Sequence, residues 1–132
     1  MPYVPTVWTS GVTPVDAAEM NNLEIQYAQA MADMSKSGSY AGDDSVNKAI
    51  PHGLGVVPKL IIIKDTGGAT FRSFSIFAGS AVIDCMRGGT AAFNQLAVTN
   101  PGVTNFYIGN ATSYADSANS SGSGTYYWVA IR

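Results

Sequence analysis

The side chains that could make or break bonds are few. In the region from residue 36 onward they are His52, Cys85 and the aspartates Asp43, Asp44, Asp65, Asp84 and Asp116, with no glutamate among them. A nucleophilic serine needs a histidine and an acid within reach. His52 is the only histidine, and it sits in Ile50-Pro51-His52-Gly53-Leu54-Gly55, a turn signature between two apolar runs. The pattern Gly-x-Ser-x-Gly does not occur, and Ser39 and Ser121 lie in glycine-rich turns. Paired carboxylates would be the other route to acid–base chemistry. The adjacent pair Asp43-Asp44 offers the hard oxygens that calcium prefers, but an alternating Asp-x-Asp-x-Asp loop is missing. One cysteine and one histidine cannot complete a tetrahedral zinc site within one subunit; three copies of His52 about a threefold axis could hold a metal. Gly67-Gly68 and Gly88-Gly89 lack the Gly-Lys-Ser/Thr ending of a phosphate cradle. The inventory predicts a chain without catalytic residues, metal or cofactor.

Charge and composition narrow the remaining classes. The chain has 132 residues, a net charge of −2, and lysines and arginines scattered along its length, so it carries no electrostatic footprint for nucleic acid. Only 12% of residues are charged, against about 25% in ordinary soluble proteins, while 46% are hydrophobic, which predicts that partner chains cover part of the surface. Cys85 stands alone, so no intrachain disulfide is available, and its setting in Ala81-Val82-Ile83-Asp84-Cys85-Met86 suits a buried apolar residue. No basic-then-apolar leader marks a secretory signal, and the run Tyr126 to Ile131 falls far short of the about 20 residues a membrane helix needs. Synthesis in the cytoplasm and no membrane insertion are expected.

The elements that position these residues begin with an uncharged leader, residues 1–12. Pro2 and Pro5 favour extended backbone, and Tyr3, Val4, Val7 and Trp8 are too apolar for a solvated tail. They predict either an arm packed on the chain itself or a sister subunit, or an anchor that docks into a larger particle. A helix is expected over 13–35, running from about Pro14 to Met34, with Thr13 as N-cap, Pro14 at the first helical position and Asp16 in the first turn. Met20, Leu23, Tyr27, Ala30 and Met34 are spaced three, four, three, four, a heptad seam that predicts a short coiled coil with other copies of the same helix. A weaker stripe of Val15, Ala18, Ile25 and Ala32, interrupted by Asn22 and Gln29, favours a trimer over a dimer. The other reading is a helix lying across its own β domain.

Ser35 to Asp44 breaks the pattern and reads as a linker. Beyond it, strands are expected at Ser45–Ile50, Lys59–Lys64, Phe71–Phe77, Ser80–Met86, Ala92–Val98, Asn105–Ile108 and Tyr126–Ile131, separated by glycine-rich turns. Such spacing predicts a mainly β chain, with 36–132 forming a jelly-roll-like β-sandwich. Leu60 to Ile63 is apolar on both faces, as a central strand or a subunit interface would be. The polar stretch Gly109 to Gly124 is long for a loop, and Tyr114, Asp116 and Asn119 within it are candidates for contact with another surface.

Two segments resemble bacteriophage virion proteins. Trp8-x-x-Gly11-x-Thr13-Pro14-Val15-x-Ala17-x-x-Met20-Asn21-Asn22-Leu23-Glu24 is similar to the N-terminal segment of many phage tail-fibre and related structural proteins, with Met20-Asn21 in place of the usual Leu-Asn pair. His52-Gly53-Leu54-Gly55-Val56-Val57-Pro58-Lys59-Leu60-Ile61-Ile62-Ile63-Lys64, with the closing Tyr126-Tyr127-Trp128-Val129-Ala130-Ile131, resembles β-rich domains of phage fibres and appendages. Together they span roughly a third of the chain. The resemblance implies a non-enzymatic, homotrimeric fibre or spike on the virion surface. It would be joined to capsid or tail proteins by residues 1–12, with a distal knob facing a host glycan or protein; both a tail fibre and a head fibre or decoration protein fit. The reading from another class is a carbohydrate-binding module outside any virion, with Tyr126 and Trp128 as a sugar platform; alternation makes one face of that strand core.

Overall fold

The computed structural model describes residues 17–67, 72–87 and 93–132. The leader with Tyr3, Val4, Val7 and Trp8, and the helix start at Thr13 and Pro14, lie outside the described residues. The chain divides into two compact units, residues 1–33 and 34–132.

In the first unit, helix α1 spans Ala17–Ala32, and none of its residues is buried. Met20, Leu23 and Tyr27 of the expected seam, together with Ile25 and Met31, are all exposed, Tyr27 to 69%. Ala30 is exposed as well. Met34 departs from expectation: the helix ends at Ala32, and the Met34 carbonyl instead accepts the backbone N–H of Arg132 at 2.9 Å. The seam therefore stops one turn early.

The second unit is mainly β. Its strands are β1 (Ser35–Ala41), β2 (Lys48–Pro51), β3 (Leu60–Asp65), β4 (Arg72–Phe77), β5 (Val82–Arg87), β6 (Phe93–Ala97), β7 (Asn105–Ile108) and β8 (Thr125–Ile131). Six form an antiparallel sheet in the order β1-β8-β3-β4-β5-β6, and β2 pairs with β7 in a second, two-stranded antiparallel sheet. The described strands thus divide six and two, and β3 to β6 follow one another as a meander, unlike the two comparable sheets of a jelly roll.

The segment expected to be a linker is strand β1. Ser35-Lys36-Ser37-Gly38-Ser39-Tyr40-Ala41 has weak intrinsic β preference, yet all seven residues align with β8, from Ser35 opposite Ile131 to Ala41 opposite Thr125. Tertiary pairing overrides local propensity here, and glycine is required: a Cβ on Gly38 would lie 2.8 Å from the indole of Trp128.

Register stacks the core in layers. One inward row runs Gly38, Trp128, Ile63, Phe74 and Cys85 across neighbouring strands, and the next contains Ala130, Ile61, Ile76 and Ile83. Ile50 of β2 and Phe106 and Ile108 of β7 close the same core from the smaller sheet. Phe106 meets Trp128 edge-on at 5.4 Å, and Tyr126 stacks on Tyr40 at 5.1 Å. Each large apolar side chain buried this way contributes about 1.5–3 kcal/mol.

Candidate functional site

The loop from Gly109 to Gly124 was the sequence's candidate contact surface, and it is built rather than open. Asn119 is fully buried. Its side-chain amide donates to Asp43 Oδ1 at 2.9 Å and to the Ser45 carbonyl at 2.7 Å, while its Oδ1 accepts the Asp43 N–H at 3.3 Å. Its own carbonyl accepts the Asp44 N–H at 2.9 Å. Asn119 is therefore a clasp between two loops and presents nothing to a partner, which corrects its assignment as a contact residue. The clasp needs a close approach at Gly109, which has φ +84°; a Cβ there would fall 2.1 Å from the Ser45 carbonyl oxygen.

Asp43 and Asp44 complete this clip. Asp43 accepts from Lys48 Nζ at 2.8 Å and from the Ser45 hydroxyl at 2.6 Å. The Lys48 ammonium foremost, then Ser45 and Asn119, hold its carboxyl far below the usual carboxylate range. Asp44 accepts from the hydroxyl and the N–H of Ser121, which lowers its carboxyl too. The oxygens that suggested calcium are turned to protein donors, and among the described residues no three His, Cys, Asp or Glu side chains come together.

The other loop candidates are half-buried. Asp116 accepts from the Ser113 hydroxyl at 2.9 Å and lies 3.9 Å from the guanidinium of Arg72, which itself donates to the Ala115 carbonyl at 2.6 Å. Tyr114 turns its carbonyl back to the N–H of Asn119 at 3.0 Å. Beneath the loop, the Tyr40 hydroxyl donates to the Ala118 carbonyl at 2.7 Å, and burial pushes its ionisation far above the ordinary tyrosine range. Burial also raises Tyr126, whose hydroxyl oxygen accepts the Ser120 N–H at 3.0 Å.

His52 is 98% enclosed, with a relative exposure of 2%. Nδ1 accepts the Leu54 N–H at 3.2 Å, so Nε2 carries the proton and donates to the Gly102 carbonyl at 3.0 Å. Nδ1 closes the β2–β3 turn on itself and Nε2 ties that turn to the loop before β7, a structural role like the one the turn reading expected. Tyr126 and Trp128 are likewise inside the core, so they form no sugar platform.

A further exposed surface is the outer face of the six-stranded sheet. Three rows cross it. Ser35, Ile131, Leu60 and Phe77 form the first. Ser37, Val129, Ile62, Ser75 and Asp84 form the second, and Ser39, Tyr127, Lys64, Ser73 and Met86 the third. Ile62 is 43% exposed, Phe77 47% and Tyr127 56%. The small serines of β1 leave a depression of about 420 Å³ beside Ile62, Lys64, Tyr127 and Val129. The signal for this face was present in Leu60 to Ile63, apolar on both sides.

Comparison with protein-family models, with curated proteins and with solved structures finds no match.

Proposed function

We propose that the chain is a structural, non-enzymatic component of a bacteriophage virion: a short homotrimeric fibre or spike, held to capsid or tail proteins by its N-terminal leader. The observation that carries this reading is α1. Sixteen residues of helix with no buried side chain expose Met20, Leu23, Ile25, Tyr27 and Met31. An isolated helix of that length is marginal in water, and apolar residues on more than one side call for more than one neighbouring helix. Three copies around an axis give each helix two partners and make α1 a short coiled coil.

The resemblance of the Trp8 to Glu24 segment to tail-fibre N-termini supplies the particle. Tyr3, Val4, Val7 and Trp8 act as the anchor, since buried aromatics make efficient interface contacts. The β unit, whose core is closed by its own strands, serves as the distal knob. Its outward loops face the host glycan or protein, with Tyr114 and Asp116 shaping the loop and Ala111 and Thr112 at its exposed turn.

Two measurements test this. Light scattering on the full chain should give three times the chain mass of 13.8 kDa; a monomer or a dimer overturns the trimer. Antibody labelling of phage particles carrying the gene should decorate a fixed site on head or tail in electron micrographs; particles that never label sink the virion assignment.

A further inference from the structure

We propose that β8 fills a strand-receiving slot between β1 and β3, and that this slot accepts the same strand from a second copy of the chain when its own is displaced. The slot belongs to the β unit alone, so it stands with or without the virion reading. β8 follows every other described strand in sequence, yet it lies inside the sheet, with β1 on one side and β3 on the other. Thr125–Ile131 pairs with all seven residues of β1, and Tyr126–Ile131 with all six of β3. Among the described strands β1 has no other neighbour. Withdrawing β8 therefore strips β1 of its partner and uncovers one edge of β3. Two rows of backbone donors and acceptors are left about 10 Å apart, a gap that one extended strand fills.

Side chains make the slot selective. A strand added to a sheet gains affinity from main-chain hydrogen bonds and specificity from pockets for its alternate side chains. In the core-side rows, Lys36, Gly38 and Tyr40 of β1 stand opposite Ala130, Trp128 and Tyr126 of β8. The sizes complement one another. Gly38 is the recess for the indole, since a Cβ there would lie only 2.8 Å from it. The Tyr126 ring stacks on Tyr40 at 5.1 Å and tilts against Phe74 at 6.1 Å, while Trp128 meets Phe106 edge-on. A slip of two residues would set the indole opposite Tyr40 or Lys36, whose side chains fill the space that Gly38 leaves free. The occupant is thus a strand with Tyr, Trp and Ala at alternate positions, which is β8 itself.

The connection to β8 separates it from the loop before it. Up to Ser121 that loop is tied to residues 43–45, through Asn119 to Asp43 and Ser45 and through Ser121 to Asp44. Beyond Ser121, Gly122 and Gly124 bracket Ser123, and Gly124 has φ +76° with open space where a Cβ would stand. The clip holds the loop while the glycines turn, so β8 can leave and return alone. Exchange of an identical element between copies is a low-cost way to share a strand. Within one copy the short tether gives β8 an effective concentration of about millimolar. The chain's own strand therefore wins unless it is displaced or the other strand is in comparable excess.

The test uses the full chain with a protease site inserted between Gly122 and Ser123 and cut after folding. The cut chain should keep the tryptophan emission of the uncut one. A labelled peptide of residues 124–132, added in excess, should replace the cut strand and travel with the chain on gel filtration, while the uncut chain takes up none. Trp128→Ala in the peptide should weaken binding by at least about a hundredfold. Tyr127→Ser in the peptide, on the exposed face of the strand, should change it by no more than about threefold. The unmodified chain offers a second route. Refolded from urea with the peptide at about millimolar concentration, it should capture at least about tenfold more of the wild-type peptide than of the Trp128→Ala peptide. Entry by either route with that selectivity upholds the slot. Entry by neither, or equal binding of the wild-type and Trp128→Ala peptides, overturns it. Both results leave the trimer mass and the particle labelling untouched, so failure here is separate from failure of the virion reading.

Discussion

At the residue scale, the polar groups that looked reactive hold loops in place. Asn119 does this most completely, since three of its polar contacts join the loop before β8 to residues 43–45. Asn119→Ala leaves the Ser45 carbonyl and Asp43 without those donors and should lower stability by about 2–4 kcal/mol. Urea denaturation checks this; a loss under about 0.5 kcal/mol would mean water replaces the amide at no cost. Asp43 supplies a pH dependence with a defined sign. Its carboxyl is held below its unfolded value by Lys48 first, so the clip contributes fully above the ordinary carboxylate range, about pH 4. The contribution is lost as pH falls below that range. Thermal melting of wild type should therefore drop more steeply on acidification below about pH 4 than that of Asp43→Asn, and parallel curves would show that this exposed pair carries none of the acid sensitivity.

At the element scale, β1 and α1 behave oppositely. β1 is a poor strand by composition but is fixed by seven paired positions and by the fit of Trp128 over Gly38. Gly38→Ala forces the indole to shift and should destabilise the β unit by about 1–3 kcal/mol, with a change in tryptophan fluorescence that an edge-strand effect alone would not produce. α1 is a good helix by composition but buries nothing. A peptide of residues 17–32 should be largely unfolded in water, while the helical signal of the full chain should rise with concentration as copies associate. A concentration-independent helical signal, already complete in the most dilute sample, would contradict stabilisation by partner helices.

At the scale of the whole molecule, the low charge and high apolar content find a place in two exposed surfaces, the helix and the outer sheet face. The exposed helix supports the proposed assembly, and among the described residues no three His, Cys, Asp or Glu side chains come together.

The sequence by itself determined the periodic elements. The spacing of Met20, Leu23, Tyr27 and Ala30 was enough to expect α1, and β7 fell on Asn105–Ile108 as expected. Alternation also sorted Tyr126 and Trp128 from Tyr127 and Val129, because side chains on a strand switch faces at every residue. Which of those faces is core could not be read, since that depends on where β2 and β7 lie. Only tertiary structure turned Ser35–Ala41 into a strand, because its hydrogen bonds come from the far end of the chain, β8, in the register Ser35–Ile131 to Ala41–Thr125. Asn119 likewise became internal through partners at Asp43 and Ser45, more than seventy residues away, and a polar stretch reads as solvated until such distant donors and acceptors are brought against it.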